Sequence, residues 1–130
     1  MQIINLSKFS GDLKQVVKCD RSSILGNPFL VGNGKTRAHV ISAFREWLWE
    51  NHQANNDEII SLEKWKEQGF LVSDKYKPAS SENVVSELGK LLLISQRKEL
   101  ILGCWCVPYP CHCQVIVKYL DWRKEQPVEF

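Results

Sequence analysis

The sequence predicts an α/β fold, a compact Rossmann-like sheet with flanking helices. Short apolar, β-branched runs stand at both ends of the chain, and segments with helical spacing of apolar residues lie between them. Residues 99–106 (ELILGCWC) are nearly all apolar, as expected of a strand covered on both faces. A turn with two prolines and a helical pattern follow this run, and together they form half of a parallel crossover unit.

Two further strands are predicted near the N-terminus, over residues 2–7 and 14–19. The second run contains adjacent β-branched valines, and the polar stretch between the runs contains a glycine. The two strands can pair as neighbours or lie apart in one sheet. Residues 20–36 show no helical period and contain three glycines and a proline, so a long ordered loop is expected there.

Four helices are predicted from the spacing of apolar residues. The first starts at a cap provided by Thr36 and ends near Asn51, and the second covers residues 57–68. A loop over residues 70–79 leads to a third helix, which Ser80 or Ser81 caps. The fourth begins around Cys111, at the end of the two-proline turn.

Length and composition exclude several classes of protein. The 130 residues are 44% hydrophobic and 25% charged, which is typical of a globular domain and not of a disordered chain. We expect one domain over residues 1–125 and a frayed tail over 126–130. No run of basic residues accompanies the net charge of +2, so nucleic-acid binding is not favoured.

Membrane insertion and secretion are also disfavoured by the sequence. No window approaches the roughly 18 apolar residues that a membrane-spanning helix needs. The N-terminus lacks the basic and apolar regions of a signal peptide. The prediction is a cytoplasmic protein with no membrane partner.

Four of the five cysteines lie within ten residues, in the block Cys104–Cys113. Three interpretations stay open for this block. Cys104, Cys106, Cys111 and His112 can supply the thiolate and imidazole ligands of a zinc ion. Alternatively, Cys111 is a reactive thiol at a helix start with His112 as its base, so these two are the candidate catalytic residues. In the third interpretation the cysteines are small buried hydrophobic residues.

The loop over residues 20–36 carries a second group of candidate site residues. A glycine-bearing loop that leads into a helix can present backbone amides to an anion, and arginine binds phosphate with two hydrogen bonds. The predicted ligand-binding residues are Arg21, Ser22, Asn27, Asn33 and Arg37. The loop does not match the Walker phosphate-binding pattern. A structured loop with solvated basic residues is the alternative.

The motifs of both segments together point to a known family. They are Arg21 with Leu25-Gly26-Asn27-Pro28-Phe29, Arg37 opening a helix, and Leu102-Gly103-Cys104-Trp105-Cys106 with Pro108, Cys111 and His112. This combination resembles domain-of-unknown-function family 4326 over most of the chain, from about residue 15 to 120. Members are small bacterial and often bacteriophage proteins. The resemblance therefore implies a bacterial or phage-encoded protein, which in the second case lies in the host cytoplasm, and it assigns no activity.

Two functions of different classes follow from these observations. The first is a pocket for a nucleotide-like or other phosphorylated small molecule, formed by the 21–37 loop and the Cys104–His112 turn. Whether such a pocket belongs to an enzyme stays open, because no paired carboxylates stand at motif spacing. The second is a zinc-stabilised protein-interaction module or an inhibitor of a host factor. A host protein or a second copy of the chain is the expected macromolecular partner.

Overall fold

A parallel sheet with helices packed around it forms the centre of the structure, a computed structural model that describes residues 1–105 and 109–126. The elements in chain order are β1 (Gln2–Asn5), β2 (Val16–Lys18), β3 (Phe29–Leu30), α1 (Arg37–Ala54), α2 (Glu63–Glu67), β4 (Leu71–Val72), α3 (Ser81–Arg97), β5 (Ile101–Cys104) and α4 (His112–Lys124). The predicted α/β class is confirmed. Residues 127–130 of the predicted frayed tail lie outside the described ranges.

The last strand of the chain lies in the middle of the sheet. β5 runs parallel to β1 on one side and to β2 on the other, so the two N-terminal strands do not pair with each other. Gly103 makes this packing possible, because a Cβ there would lie 2.5 Å from Leu6 Cδ2. Beyond the end of β2, the Cys19 amide donates to the Gly103 carbonyl at 2.8 Å. The carboxyl ends of β2 and β5 therefore meet at one edge of the sheet.

A second, two-stranded antiparallel sheet corrects two loop predictions. β3 and β4 pair with Phe29 opposite Val72, so the predicted loops over 20–36 and 70–79 each contain a short strand. Phe29 is fully buried, and its ring packs 5.3 Å from the Trp65 ring, centroid to centroid. Burial of this aromatic pair stabilises strands that are too short to show a period in the sequence.

The predicted helix over residues 57–68 is wrong for its first half. Within residues 57–68, only Glu63–Glu67 (α2) is helical. Ile59 lies outside this helix and forms an isolated antiparallel bridge with Ser80. The short helix is fixed by Trp65, which is fully buried and donates from Nε1 to Glu46 on α1 at 3.1 Å. Tertiary contacts therefore override the local helical pattern in this segment.

Side-chain caps define the starts of the long helices. Thr36 caps α1 as predicted, and its backbone amide donates to Nδ1 of His39 at 2.9 Å, which completes a capping box. Ser80 caps α3 by accepting a hydrogen bond from a backbone amide in the first turn. α1 continues three residues beyond the predicted end, until Asn55 adopts a left-handed conformation with φ of 42°.

α1 packs against both α3 and α4, and its contact with α4 includes a histidine that the sequence leaves without a role. His52 stacks on Trp49 at 5.2 Å between ring centroids, and its Nδ1 lies 2.7 Å from the Tyr119 hydroxyl. Burial lowers the pKa of His52, and the nearby charge of Arg123 lowers it further. The folded protein therefore favours the neutral imidazole.

This lowered pKa predicts a pH dependence of stability. Below the ordinary histidine pKa of 6.5, the unfolded chain binds a proton that folded His52 resists. The free energy of unfolding should therefore fall as the pH drops from about 7 through the lowered pKa, and then level off. Urea unfolding at several pH values measures this change. His52→Gln should flatten the fall, and an unchanged slope would contradict the assignment to His52.

Within the described ranges, none of the helices combines the length and the apolar character needed to cross a membrane.

Candidate functional site

A cleft of about 490 Å³ opens at the carboxyl edge of the parallel sheet. Its walls come from the residues that follow β2, the end of β5, and the starts of α1 and α4. Crevices at the carboxyl ends of parallel strands are the usual ligand sites of α/β sheets. The volume lies in the range of pockets that hold small molecules and cofactors.

The structure brings most of the predicted ligand-binding residues to this cleft. Arg21, Ser22, Asn27 and Arg37 line it. Asn33 is not among the lining residues, because it lies in an exposed turn and donates from Nδ2 to the Gly69 carbonyl at 2.7 Å. The opposite wall contains the predicted residues Cys104, Cys111 and His112.

Two guanidinium groups give the cleft a positive wall. Arg21 donates from Nη2 to the Phe29 carbonyl at 2.9 Å, and its buried Nε has no hydrogen-bond partner among the described residues. Arg37 donates to the Pro110 carbonyl at 3.5 Å, and its guanidinium lies 5.2 Å from the centre of the Tyr109 ring. Across residues 1–105 and 109–126, neither arginine pairs with a carboxylate.

The Gly-Asn-Pro-Phe segment builds the loop that carries Arg21. Asn27 is buried, donates from Nδ2 to the Val40 carbonyl at 3.2 Å and accepts from the Phe29 amide at 2.9 Å. Gly26 lies so close to the preceding chain that a Cβ there would be 2.3 Å from the Asp20 carbonyl oxygen. Asn27 therefore braces the loop against α1.

Asp20 and Trp105, which are not among the site residues predicted from the sequence, meet at the cleft. Asp20 accepts hydrogen bonds from the amide and hydroxyl of Ser22, and from Nε1 of Trp105 at 3.1 Å. Partial burial acts to raise the pKa of Asp20, but these hydrogen bonds and the Lys18 charge outweigh it, so the pKa is lowered on balance. The spacing of Asp20 and Ser22 is typical of a turn in which an aspartate side chain accepts from the amide two residues on, so this part of the site was predictable from the sequence.

The cysteine block folds into a buried cluster of thiols behind this wall. The Sγ atoms of Cys104 and Cys111 lie 3.0 Å apart, and the Sγ atoms of Cys104, Cys111 and Cys113 all lie within 4.8 Å of one another. His112 is not part of this mutually close group. The predicted ligand Cys106 lies outside the described residues. This three-cysteine cluster can hold a metal ion, with Cys113 as a member that the sequence analysis did not propose.

Burial and the neighbouring thiols determine the protonation state of Cys113. Hydrogen bonds with the Cys104, Cys111 and Cys19 thiols, together with burial, raise the pKa of the Cys113 thiol. In the absence of a cation, Cys113 is therefore a protonated, unreactive thiol at neutral pH. A bound cation reverses this preference, because metal ligation deprotonates a thiol.

Cys111 and His112 approach each other despite being neighbours in the chain. Nε2 of His112 contacts the Cys19 carbonyl, which can only accept, so this nitrogen carries the hydrogen. In the neutral ring Nδ1 is then an acceptor, and it lies 3.4 Å from the Cys111 Sγ. Cys111 Sγ also caps α4 by accepting from the Cys113 amide at 3.5 Å. The Cys111 Sγ therefore lies within reach of both the imidazole Nδ1 and the Cys104 Sγ, to which its thiol donates.

The comparisons with known proteins identify one family. A family model described as a domain of unknown function (DUF4326) matches residues 4–122, a span that includes the cleft and the thiol cluster. No curated protein matches the chain, and no solved structure matches it. The match confirms the family resemblance that the sequence motifs indicate, and the chain belongs to the DUF4326 family.

Proposed function

We propose that this protein binds a phosphorylated, nucleotide-like small molecule in the cleft between the 21–37 loop and the Cys104–His112 turn. The observation that carries the proposal is the pair of guanidinium groups, Arg21 and Arg37, that line the cleft without carboxylate partners among the described residues. A phosphate group offers oxygens that match the planar donor array of arginine.

Binding without turnover is favoured over hydrolysis or group transfer. Asp20 is the only carboxylate among the described lining residues, and it accepts hydrogen bonds from Ser22 and Trp105. A general acid and a general base of the usual carboxylate kind are therefore not paired there. A phage-encoded cytoplasmic protein that only binds and sequesters a nucleotide needs neither a general acid nor a general base. Loss of intact ligand on prolonged incubation would overturn this preference.

A thermal-shift experiment tests the phosphate dependence directly. Adenosine 5′-phosphate, at about a hundred times its dissociation constant, should raise the unfolding temperature by several degrees, because it binds only the folded state. Adenosine lacks the phosphate and should give little shift at the same concentration. Equal shifts from both compounds, or no shift from either, would contradict the proposal.

The thiol cluster favours a second candidate function, a zinc-stabilised module that binds or inhibits a host protein. Tetrahedral zinc–thiolate geometry separates sulfur atoms by about 3.8 Å. The sulfurs of Cys104, Cys111 and Cys113 lie within 4.8 Å of one another, and Cys104 and Cys111, whose sulfurs are 3.0 Å apart, would have to separate by about 0.8 Å to ligate zinc. In that case the metal would fix the start of α4 against the end of β5.

Metal analysis tests the second candidate. Protein purified under reducing conditions should carry one zinc per chain, visible as the difference between its native and denatured masses. A chelator should lower its unfolding temperature, because structural zinc contributes to folding. Cys113→Ser should lose the ion. Cys19→Ser should keep the ion, since the Cys19 thiol contacts Cys113 but lies outside the mutually close group. Wild-type protein without zinc would contradict this candidate.

A further inference from the structure

An exposed tryptophan stands at the edge of the cleft. Trp105 directly follows β5 and lines the cleft, and 59% of its surface is exposed. Because more than half of the Trp105 side chain stays in contact with water, burial in the hydrophobic core does not explain a tryptophan at this position. Tyr109, also exposed, lies nearby in the chain and stacks under Arg37.

The indole of Trp105 is held in one orientation in spite of this exposure. Its Nε1 donates to Asp20 Oδ2 at 3.1 Å, and Asp20 is in turn fixed by the amide of Ser22 at 3.1 Å. The hydrogen bond has a carboxylate acceptor, which makes it stronger than a bond between neutral groups. A flat aromatic face is thereby ordered in advance of binding, which reduces the entropy lost when a ligand stacks on it.

We propose that Trp105 stacks on the base of the bound ligand, so that the cleft selects nucleotides over sugar phosphates. The inference rests on the proposed phosphate-binding function. Arg21 and Arg37 line the same cleft and supply the positive charge, and Trp105 supplies an apolar face at its mouth. Aromatic stacking recognises any base through its π-face, so this contact sets the class of ligand and not the identity of the base.

The experiment compares adenosine 5′-phosphate with ribose 5-phosphate by isothermal titration calorimetry. Wild-type protein should bind the nucleotide about tenfold more tightly, the size expected for one stacked base. Trp105→Ala should remove this advantage and leave the affinity for ribose 5-phosphate unchanged. Trp105→Phe should keep most of the advantage, because it retains an aromatic face. Trp49→Ala is the matched control, since Trp49 is 43% exposed and does not line the cleft.

The outcomes separate this inference from the proposed function. Equal wild-type affinity for the two compounds would overturn the stacking role and leave phosphate binding in place. Equal weakening of both by Trp105→Ala would also overturn it, because a merely structural role of the indole predicts that result. Failure of wild-type protein to bind either compound would overturn the proposed function itself. In that case the exposed indole is better explained as a contact for a protein partner.

Discussion

Replacing Arg37 with alanine should weaken binding of a phosphorylated ligand by about ten- to a hundredfold. The side chain is one of two guanidinium groups that line the cleft, so its removal takes away charge-assisted hydrogen bonds to the phosphate. Its structural contacts are weak, namely one hydrogen bond of 3.5 Å to the Pro110 carbonyl and its position over the Tyr109 ring. Alanine is also favourable in the first turn of a helix, so α1 should stay folded.

Isothermal titration of adenosine 5′-phosphate into each variant measures this loss. Arg37→Lys should retain part of the affinity, because lysine keeps the charge but not the planar donor array. Arg45→Ala is the matched control, since Arg45 lies on the same helix and does not line the cleft. Arg21 is less suitable for the test, because its bond to the Phe29 carbonyl also supports the loop. An unchanged affinity in Arg37→Ala would count against the proposed phosphate site.

Replacing Trp65 with alanine should lower the free energy of unfolding by about 3–5 kcal/mol, as is usual for a fully buried aromatic side chain. Trp65 is completely buried, packs against Phe29 and Lys64, and donates to Glu46 on α1. The substitution would leave a cavity between the small sheet and α1. Because β3 lies within the cleft-forming 21–37 loop, ligand binding should weaken as well.

Chemical denaturation measures the stability of this variant. Trp65→Phe should cost less, because one aromatic ring still fills part of the site, although the hydrogen bond to Glu46 and some packed volume are lost. Trp49→Ala is the comparison at a partly exposed site, and it should destabilise the protein less than Trp65→Ala. If the two alanine variants lost the same stability, the anchoring role given to Trp65 would be wrong.

The elements with strong local patterns were predictable from the sequence. The apolar run that became β5 and the caps at Thr36 and Ser80 are local signals, and the structure confirms them. The small sheet was not predictable in this way, because each of its strands has two residues and gains its stability from distant contacts such as Phe29 with Trp65. The failed half of the second predicted helix has the same cause, since Ile59 is held by its bridge to Ser80.

The candidate site was predictable in its location more than in its details. The cleft lies at the carboxyl edge of the sheet, and described residues of both predicted segments, the 21–37 loop and the Cys104–His112 turn, line it. The spacing of the cysteines did not decide which sulfurs converge, because that depends on the rotation of α4 about its axis. This rotation brings Cys113 to Cys104 and Cys111, and it directs Nε2 of His112 to the Cys19 carbonyl.

A ¹H–¹⁵N spectrum recorded during titration with adenosine 5′-phosphate shows whether the cleft at the carboxyl edge of the sheet binds a phosphorylated ligand. If it does, the largest shifts should occur at the amides of Arg21, Ser22 and Arg37 and at the indole of Trp105. Shifts centred instead on Trp49 and the outer face of α1 and α4, or no shifts at saturating ligand, would contradict binding in the cleft.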